Sequence, residues 1–526
     1  MAAPLSPATR ASTLRELTAR ELDLLVVGGG ITGAGIARDA ARRGLATGLV
    51  EAVDFAAGTS SRSSKLIHGG LRYLQQGDVG LVREAATERA VLRRIAPHLA
   101  QPLRMVLPTY RLSTQVKLKA GLFMFEKLAP VDAEERHQML DRRGAIAAEP
   151  LLAPAGLHGA VVFTEYLTDD ARLVLANVLD THAAGGLVAN HARVVGLERG
   201  RATIEDTFSG ESFVVRARVI VNAAGPWVDE LRRRAGAEGG RRLQLTKGIH
   251  LVVPGERLPI RHCVVMTARD KRSIFVVPRD GMTYIGTTDT FYPTPTLVPE
   301  VTQDDVDYLL EATNRTFSDT RLGAADVTSA WSGLRPLLAE EGKSPSEISR
   351  RDEIMIDEAS GLVTIAGGKL TAYRRMAERI VDLVYDRLKR RREPCGTEHA
   401  PLPGGEAPVP SLPATLSAAA QSRMARLYGA TCTRLLARDP TATSLPGIPG
   451  VLRAEVEHAI DEEMALTLED VLERRTRVLL FDPRQGLDGL DEVAGIMARR
   501  LDWDAERTAA EVANYRRLAA SLRSFA

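Results

Sequence analysis

Apolar positions are continuous at residues 24–27, Leu-Leu-Val-Val, stop at Gly28-Gly29-Gly30, and resume in an alanine-rich stretch that ends at Arg42-Arg43-Gly44. A fully apolar run of strand length followed by helical spacing predicts a buried strand, a tight turn and a packed helix. A second short strand follows at residues 47–50, closed by Glu51. Helical spacing returns over residues 79–100, where Val82, Ala85, Ala86, Arg89 and Leu92 share a face, and after Thr168-Asp169-Asp170, whose side chains suit a helix start. Segments around residues 193–195 and 217–222 read as strands, the second running into Ala223-Ala224-Gly225-Pro226-Trp227. The period then changes. Short β-branched runs at residues 249–253, 263–266, 274–277 and 283–289, with an Asp280-Gly281 turn, predict an antiparallel sheet.

This alternation predicts an α/β fold: a Rossmann-like nucleotide-binding domain with an inserted antiparallel-sheet substrate domain and a helical C-terminal domain. The expected boundaries are 20–85, 155–230 and 350–393 for the first, 86–154 and 231–349 for the second, and 414–526 for the third. Between them, residues 394–413 hold Pro401, Pro403, Gly404, Gly405, Pro408 and Pro410 and read as a linker. Beyond it, Thr467-Leu468-Glu469-Asp470 resembles a capping box, and the run Glu473-Arg474-Arg475-Thr476-Arg477 reads as a solvated helix face or a subunit contact. Residues 1–20 read as a flexible tail without the apolar core of a signal peptide. Residues 111–128 set Lys117, Lys119 and Lys127 among Leu118, Leu122, Phe123, Met124 and Phe125, which fits a helix packed on its own domain or a basic amphipathic surface.

Composition narrows the classes. With 69 basic and 67 acidic residues in 526 and a net charge of +2, no global field points to nucleic acid. Three cysteines, Cys263, Cys395 and Cys432, lack ligand or disulfide spacing and suit a reducing compartment. No run reaches the roughly 18 apolar residues of a spanning helix, so a soluble or peripheral protein is expected. Neither an EF-hand pattern nor a metal-ligand cluster is present in the sequence.

The chemistry begins at Gly28, Gly30 and Gly33. Their spacing provides a tight turn, backbone approach to a pyrophosphate and close helix–strand packing, and Glu51 stands where a ribose-binding carboxylate belongs. The loop of residues 58–73 is rich in Gly, Ser and Thr and offers donors without bulk to an extended anionic cofactor. Arg335 and Lys369 each sit among apolar and turn residues, where a cation requires an anion or developing negative charge. Read from the residues alone, each is equally a structural ion pair or a functional group.

The stretches TSSRSSKLIHGGLRYL at residues 59–74, SGLRPL at 332–337, AGGKLT at 366–371 and TLEDVLERRTR at 467–477 resemble the FAD-dependent, quinone-linked glycerol-3-phosphate dehydrogenases. The resemblance runs from about residue 23 to the end of the sequence. It implies one FAD, with cofactor contacts from Thr59, Ser60, Ser64, Leu66, His68, Gly69, Val194, Ala224, Gly225, Trp227, Gly368, Lys369, Leu370 and Thr371 in addition to the cradle. It implies substrate contacts from Arg72, Tyr73, Arg335, Arg350 (or its neighbour Arg351) and Lys369. The activity implied is oxidation of glycerol 3-phosphate to dihydroxyacetone phosphate, FAD taking hydride from C2 and a quinone taking the electrons. The alternatives are an oxygen-dependent oxidase and a flavin-binding sensor without turnover. Arg335, Lys369 and His250 are the expected catalytic residues: His250 opens a substrate-domain strand expected over the flavin and is the candidate general base, with His68 as competitor. The expected setting is cytoplasmic and peripheral on the inner face of the cytoplasmic membrane, with a homodimer as a further candidate arrangement.

Overall fold

The structure, a computed structural model, describes residues 3–68, 79–128, 132–237, 240, 242–340, 342 and 352–525. The strand Leu22–Val27 is buried along its whole length and pairs in parallel with Thr47–Val50 on one side and Ser212–Asn222 on the other. It belongs to an eight-stranded sheet that continues through Leu187–Ala189 at one edge and Val363–Gly367 and Asp352–Ile356 at the other. Apolar side chains on both faces require cover on both faces. Helices Ile31–Arg42, Asp170–Ala183 and Tyr373–Leu388 pack together against this sheet and supply part of it. Asp169 caps the second of these helices, its carboxylate accepting from the Arg172 N–H at 3.1 Å.

A ten-stranded sheet forms the second layer. Leu243–Pro254 pairs antiparallel with Ser329–Leu338 along ten positions and with Met282–Gly286, and the sheet extends through Ser273–Arg279, Cys263–Thr267, Gln101–Thr109 and Gly159–Leu167 to Leu66–Ile67. The join between Cys263–Thr267 and Gln101–Thr109 is parallel. Two strands depart from the expected partition. Gly159–Leu167 lies within residues 155–230 and Leu66–Ile67 within 20–85, yet both pair in this second sheet. The physical reason is pairing: Gly159–Leu167 finds nine partners in Gln101–Thr109 on one edge and four in Gln138–Asp141 on the other.

Three further expectations are corrected. The N-terminal residues form a helix, Pro7–Ala19, with Ser6 and Thr9 in a reciprocal cap, rather than a flexible tail. Arg10 anchors it, donating to Asp206 Oδ1 at 2.8 Å and to the Asn190 carbonyl at 3.0 Å. The linker is strapped down: Leu402 is buried, its N–H bonds the Ile95 carbonyl at 2.8 Å, and the Ala400 carbonyl accepts from Arg38 at 2.7 Å. The run at residues 473–477 is neither solvated nor available to another subunit, because Glu473, Arg474, Arg475 and Arg477 are all at most 2% exposed. Thr467 and Asp470 do cap each other, with Thr467 Oγ1 accepting from the Asp470 N–H and Asp470 Oδ2 from the Thr467 N–H, and a π-helical turn at Asp470–Arg475 follows. Around it the helices Arg453–Glu463, Leu490–Leu501 and Ala505–Ser521 close the C-terminal domain.

Candidate active site

A cavity of about 960 Å³ lies between the two sheets. One end is the glycine turn. Gly28 has φ +112°, and a Cβ there would stand 2.6 Å from the Ala223 carbonyl oxygen; a Cβ on Gly33 would stand 1.9 Å from the Gly28 carbonyl oxygen. Only glycine fits at either position. Gly30 caps helix Ile31–Arg42, so the first-turn N–H groups open toward the cavity, and Ser60 Oγ accepts one of them, from Ile31, at 3.0 Å. Glu51 is fixed by the N–H of Gly29 at 2.6 Å and of Val53 at 3.0 Å. Burial raises its carboxyl above the usual range, against the pull of those two N–H groups, and hydroxyl donors brought by a ligand would relieve that desolvation.

Among the described residues, every expected cofactor contact except Gly33 lines this one cavity, from Gly28, Gly30 and Glu51 through Thr59, Ser60, Ser64, Leu66 and His68 to Val194, Ala224, Gly225 and Trp227. Gly33 lies beneath Gly28 and acts through packing. At the far end Gly367 and Gly368 both take positive φ, and Lys369 caps the turn Leu370–Ala372 that leads into helix Tyr373–Leu388. Gly368, Lys369, Leu370 and Thr371 all reach the cavity. Gly69, Arg72, Tyr73, Arg350 and Arg351 lie outside the described residues.

Arg335 and His250 face the cavity from neighbouring strands. The Arg335 guanidinium is clamped by Asp289 Oδ1 at 3.1 Å, Thr287 Oγ1 at 2.9 Å and the Thr288 carbonyl at 3.2 Å. His250 stacks on Trp331, centroids 4.7 Å apart and planes 12° apart, and its Nε2 shares a hydrogen bond with Ser64 Oγ at 2.8 Å. Burial, then the Arg335 and Lys65 cations, hold this imidazole well below its ordinary range. Lys65 lies behind, its ammonium 5.1 Å from the Trp331 ring and lowered to about 7 by burial and then by Arg477, despite Asp170 at 2.9 Å.

Two site residues went unnoticed in the sequence. A Cβ on Gly248 would stand 2.1 Å from Arg335 Nη2, and one on Gly286 would stand 2.0 Å from His250 Cδ2. Each glycine vacates the space that Arg335 or His250 fills. Both interrupt strand patterns outside any turn, the pattern that marks a close approach. Gly248→Ala is accordingly expected to lower turnover at least tenfold by displacing the guanidinium while FAD stays bound; normal steady-state kinetics in that variant would show that Arg335 can relax elsewhere.

The glycine cradle, the buried carboxylate and a second sheet closing over them define an FAD-dependent oxidoreductase. The family described as FAD dependent oxidoreductase matches residues 23–374, and that described as the C-terminal domain of alpha-glycerophosphate oxidase matches residues 395–508. The chain is 42% identical over 522 residues to the aerobic glycerol-3-phosphate dehydrogenase of Bacillus subtilis, covering 94% of each chain, and 40% identical over 526 residues to that of Staphylococcus saprophyticus, covering 95% of this chain and 94% of the relative. Among solved structures, the glycerol-3-phosphate dehydrogenase from Bacillus halodurans complexed with FAD superposes with a TM-score of 0.81 at 35% identity, covering 99% of this chain and 98% of that one. The chain belongs to the FAD-dependent glycerol-3-phosphate dehydrogenase family. FAD is its cofactor, and the cavity has the cradle, carboxylate and helix starts to hold it.

Proposed function

We propose that the protein oxidises sn-glycerol 3-phosphate to dihydroxyacetone phosphate and passes the electrons to a quinone at a membrane surface. The observation that carries this reading is the convergence of Arg335, Lys369 and His250 on the cavity that holds the glycine cradle. The names of the relatives support the substrate. When bound, FAD supplies the two-electron acceptor for the hydride that leaves C2. Arg335 and Lys369 hold the phosphate dianion and polarise the C2 oxygen, Arg335 doing so as a preorganised fork. His250, which lines the cavity beside Ser64, takes the C2 hydroxyl proton; its Nε2 shares a hydrogen bond with Ser64 Oγ, whereas Nδ1 is buried away from solvent. Its lowered pKa keeps it neutral at pH 7 and able to accept.

Anaerobic mixing with glycerol 3-phosphate is expected to bleach the flavin. A protein that stays yellow supports the sensor reading instead. His250→Ala should slow that bleaching about a hundredfold. The native rate should fall with pH only below the free-imidazole range, because protonation of His250 removes the base, and the variant should lack this limb. Near-normal reduction with the limb intact would return the role to His68 or Lys369.

The acceptor assignment is supported by the other cavity wall. Directly paired residues share a sheet face, so His250, Gly286, Phe275 and Val265 form one row across four strands, continued by Met105, Leu107 and Phe163. Leu118 closes this apolar side from helix Leu112–Leu128. That helix buries only a narrow stripe and leaves Leu112, Val116, Phe123 and Met124 more than half exposed beside Lys117, Lys119 and Lys127. Apolar side chains ringed by lysine suit an anionic lipid surface. No helix among the described residues is long and apolar enough to cross a membrane. The double variant Phe123→Glu/Met124→Glu should bind phosphatidylglycerol vesicles at least tenfold more weakly, since each buried side chain is worth roughly 1.5–3 kcal/mol, while turnover with a soluble dye is unchanged. Equal sedimentation of variant and native protein would exclude this helix. In aerobic assays, reduction of a short-chain quinone without stoichiometric peroxide supports the dehydrogenase; peroxide without quinone reduction supports the oxidase.

A further inference from the structure

The run Glu473-Arg474-Arg475-Thr476-Arg477 belongs to the C-terminal domain, yet its charges end on the two segments that line the flavin cavity. Asp54 stands three residues after Glu51. Arg474 Nε and Arg475 Nη1 reach Asp54 Oδ2 at 2.7 and 2.6 Å, and Arg475 Nη2 reaches Oδ1 at 2.9 Å. The second segment is the serine loop. Its Ser61 carbonyl accepts from Arg477 Nη2 at 3.0 Å and from Lys65 Nζ at 2.8 Å, and Glu473 pairs with Arg62 at 2.8 Å. Arg477 also meets Asp169 at 3.1 Å and Asp170 at 3.2 Å, and Asp170 Oδ2 in turn accepts from the Ser63 N–H at 3.0 Å. Both cations that hold Ser61 have left-handed backbones, Lys65 at φ +55° and Arg477 at φ +65°, a conformation that non-glycine residues keep only when their surroundings fix it.

That loop serves three partners at once on its cavity side. Ser60 takes the Ile31 N–H at the cofactor helix, Thr59 Oγ1 donates to the Leu334 carbonyl at 2.7 Å beside Arg335, and Ser64 holds His250. We propose that Glu473 and Arg477 are positioning residues for FAD: from the far domain they hold the serine loop in the one arrangement that completes the cofactor cradle. This positioning role acts on cofactor binding and does not depend on His250 being the base. A buried charge that loses its partner moves its neighbours, and here the neighbours are the donors and acceptors of the cavity wall.

The experiment uses the full chain stripped of FAD and titrated with FAD, binding being followed by quenching of flavin fluorescence. Arg477→Met is expected to weaken binding at least tenfold, and Arg477→Lys, which keeps the charge, to weaken it less. Arg172→Met is the comparison. It breaks a comparably buried pair at the same domain interface, Arg172 to Glu463 at 2.7 Å; Arg172 itself contacts neither cofactor segment, and Glu463 is linked to one only at a remove, through Arg475. It should lower the thermal midpoint and leave FAD affinity within twofold of native. Unchanged affinity in Arg477→Met, or an equal loss in Arg172→Met, overturns the proposal. Should Arg477→Met fail to fold, Glu473→Gln, which keeps the shape, is read by the same two criteria.

Discussion

Arg335→Met and Lys369→Met should each abolish oxidation of glycerol 3-phosphate while the protein stays yellow. Arg335 is held by Asp289, Thr287 and Thr288 on the cavity wall, and Lys369 by its place at the head of the turn Leu370–Ala372. Neither position depends on the flavin. Removing one member of a buried charge constellation costs roughly 3–5 kcal/mol, and each 1.36 kcal/mol lost from the transition state is about tenfold in rate. A loss of at least about a hundredfold in kcat/KM is therefore expected. Flavin content, read from the absorbance ratio of the purified variants, should stay near one per chain. If both variants kept within about fivefold of native turnover, the phosphate would have to be held elsewhere.

Glu51→Arg should leave the protein colourless. The carboxylate already takes the N–H groups of Gly29 and Val53, and from that fixed pose its oxygens face the cavity. Hydrogen bonds to a charged acceptor are worth roughly 1.5–3 kcal/mol each, so losing two ribose hydroxyls costs about a hundredfold in affinity at the least. An arginine adds a cation that can accept from none of the four donors. Glu51→Gln, which retains an acceptor oxygen, should keep part of the colour. Stoichiometric FAD in purified Glu51→Arg would remove Glu51 from the cofactor site.

The cradle was legible because its signal is local. Gly28, Gly30, Gly33 and Glu51 lie within one strand-turn-helix-strand unit, and the geometry that requires them arises within that unit. Arg335 and Lys369 were legible as misplaced cations and by resemblance, while the clamp on Arg335 comes from Thr287 to Asp289, on a segment no pattern linked to it. Gly248 and Gly286 were overlooked because a glycine in a strand announces a close approach without saying to what. The charged run at residues 473–477 misled for a physical reason. Arginine and glutamate in sequence default to solvent, and the partner that buries Arg474 is Asp54, 420 positions away. The N-terminal helix failed for the opposite reason: its buried stripe is Arg10, Thr13 and Leu17, which carries almost no apolar signal.

The distance between Asp54 and the arginines that neutralise it also sets an order of events during synthesis. Domains emerge and fold from the N-terminal side, so Asp54, Asp169 and Asp170 leave the ribosome long before Arg474, Arg475 and Arg477 exist to meet them. Until then Asp170 has Lys65 and Asp54 has the Asn190 amide to meet, but the serine loop lacks the outer contacts from Glu473 and Arg477. If Glu473 and Arg477 position the loop as proposed, tight flavin capture follows translation of the C-terminal helices. A chain stopped at the linker would be a poor substitute for a smaller flavoprotein, since it would expose the apolar and charged face that those helices cover.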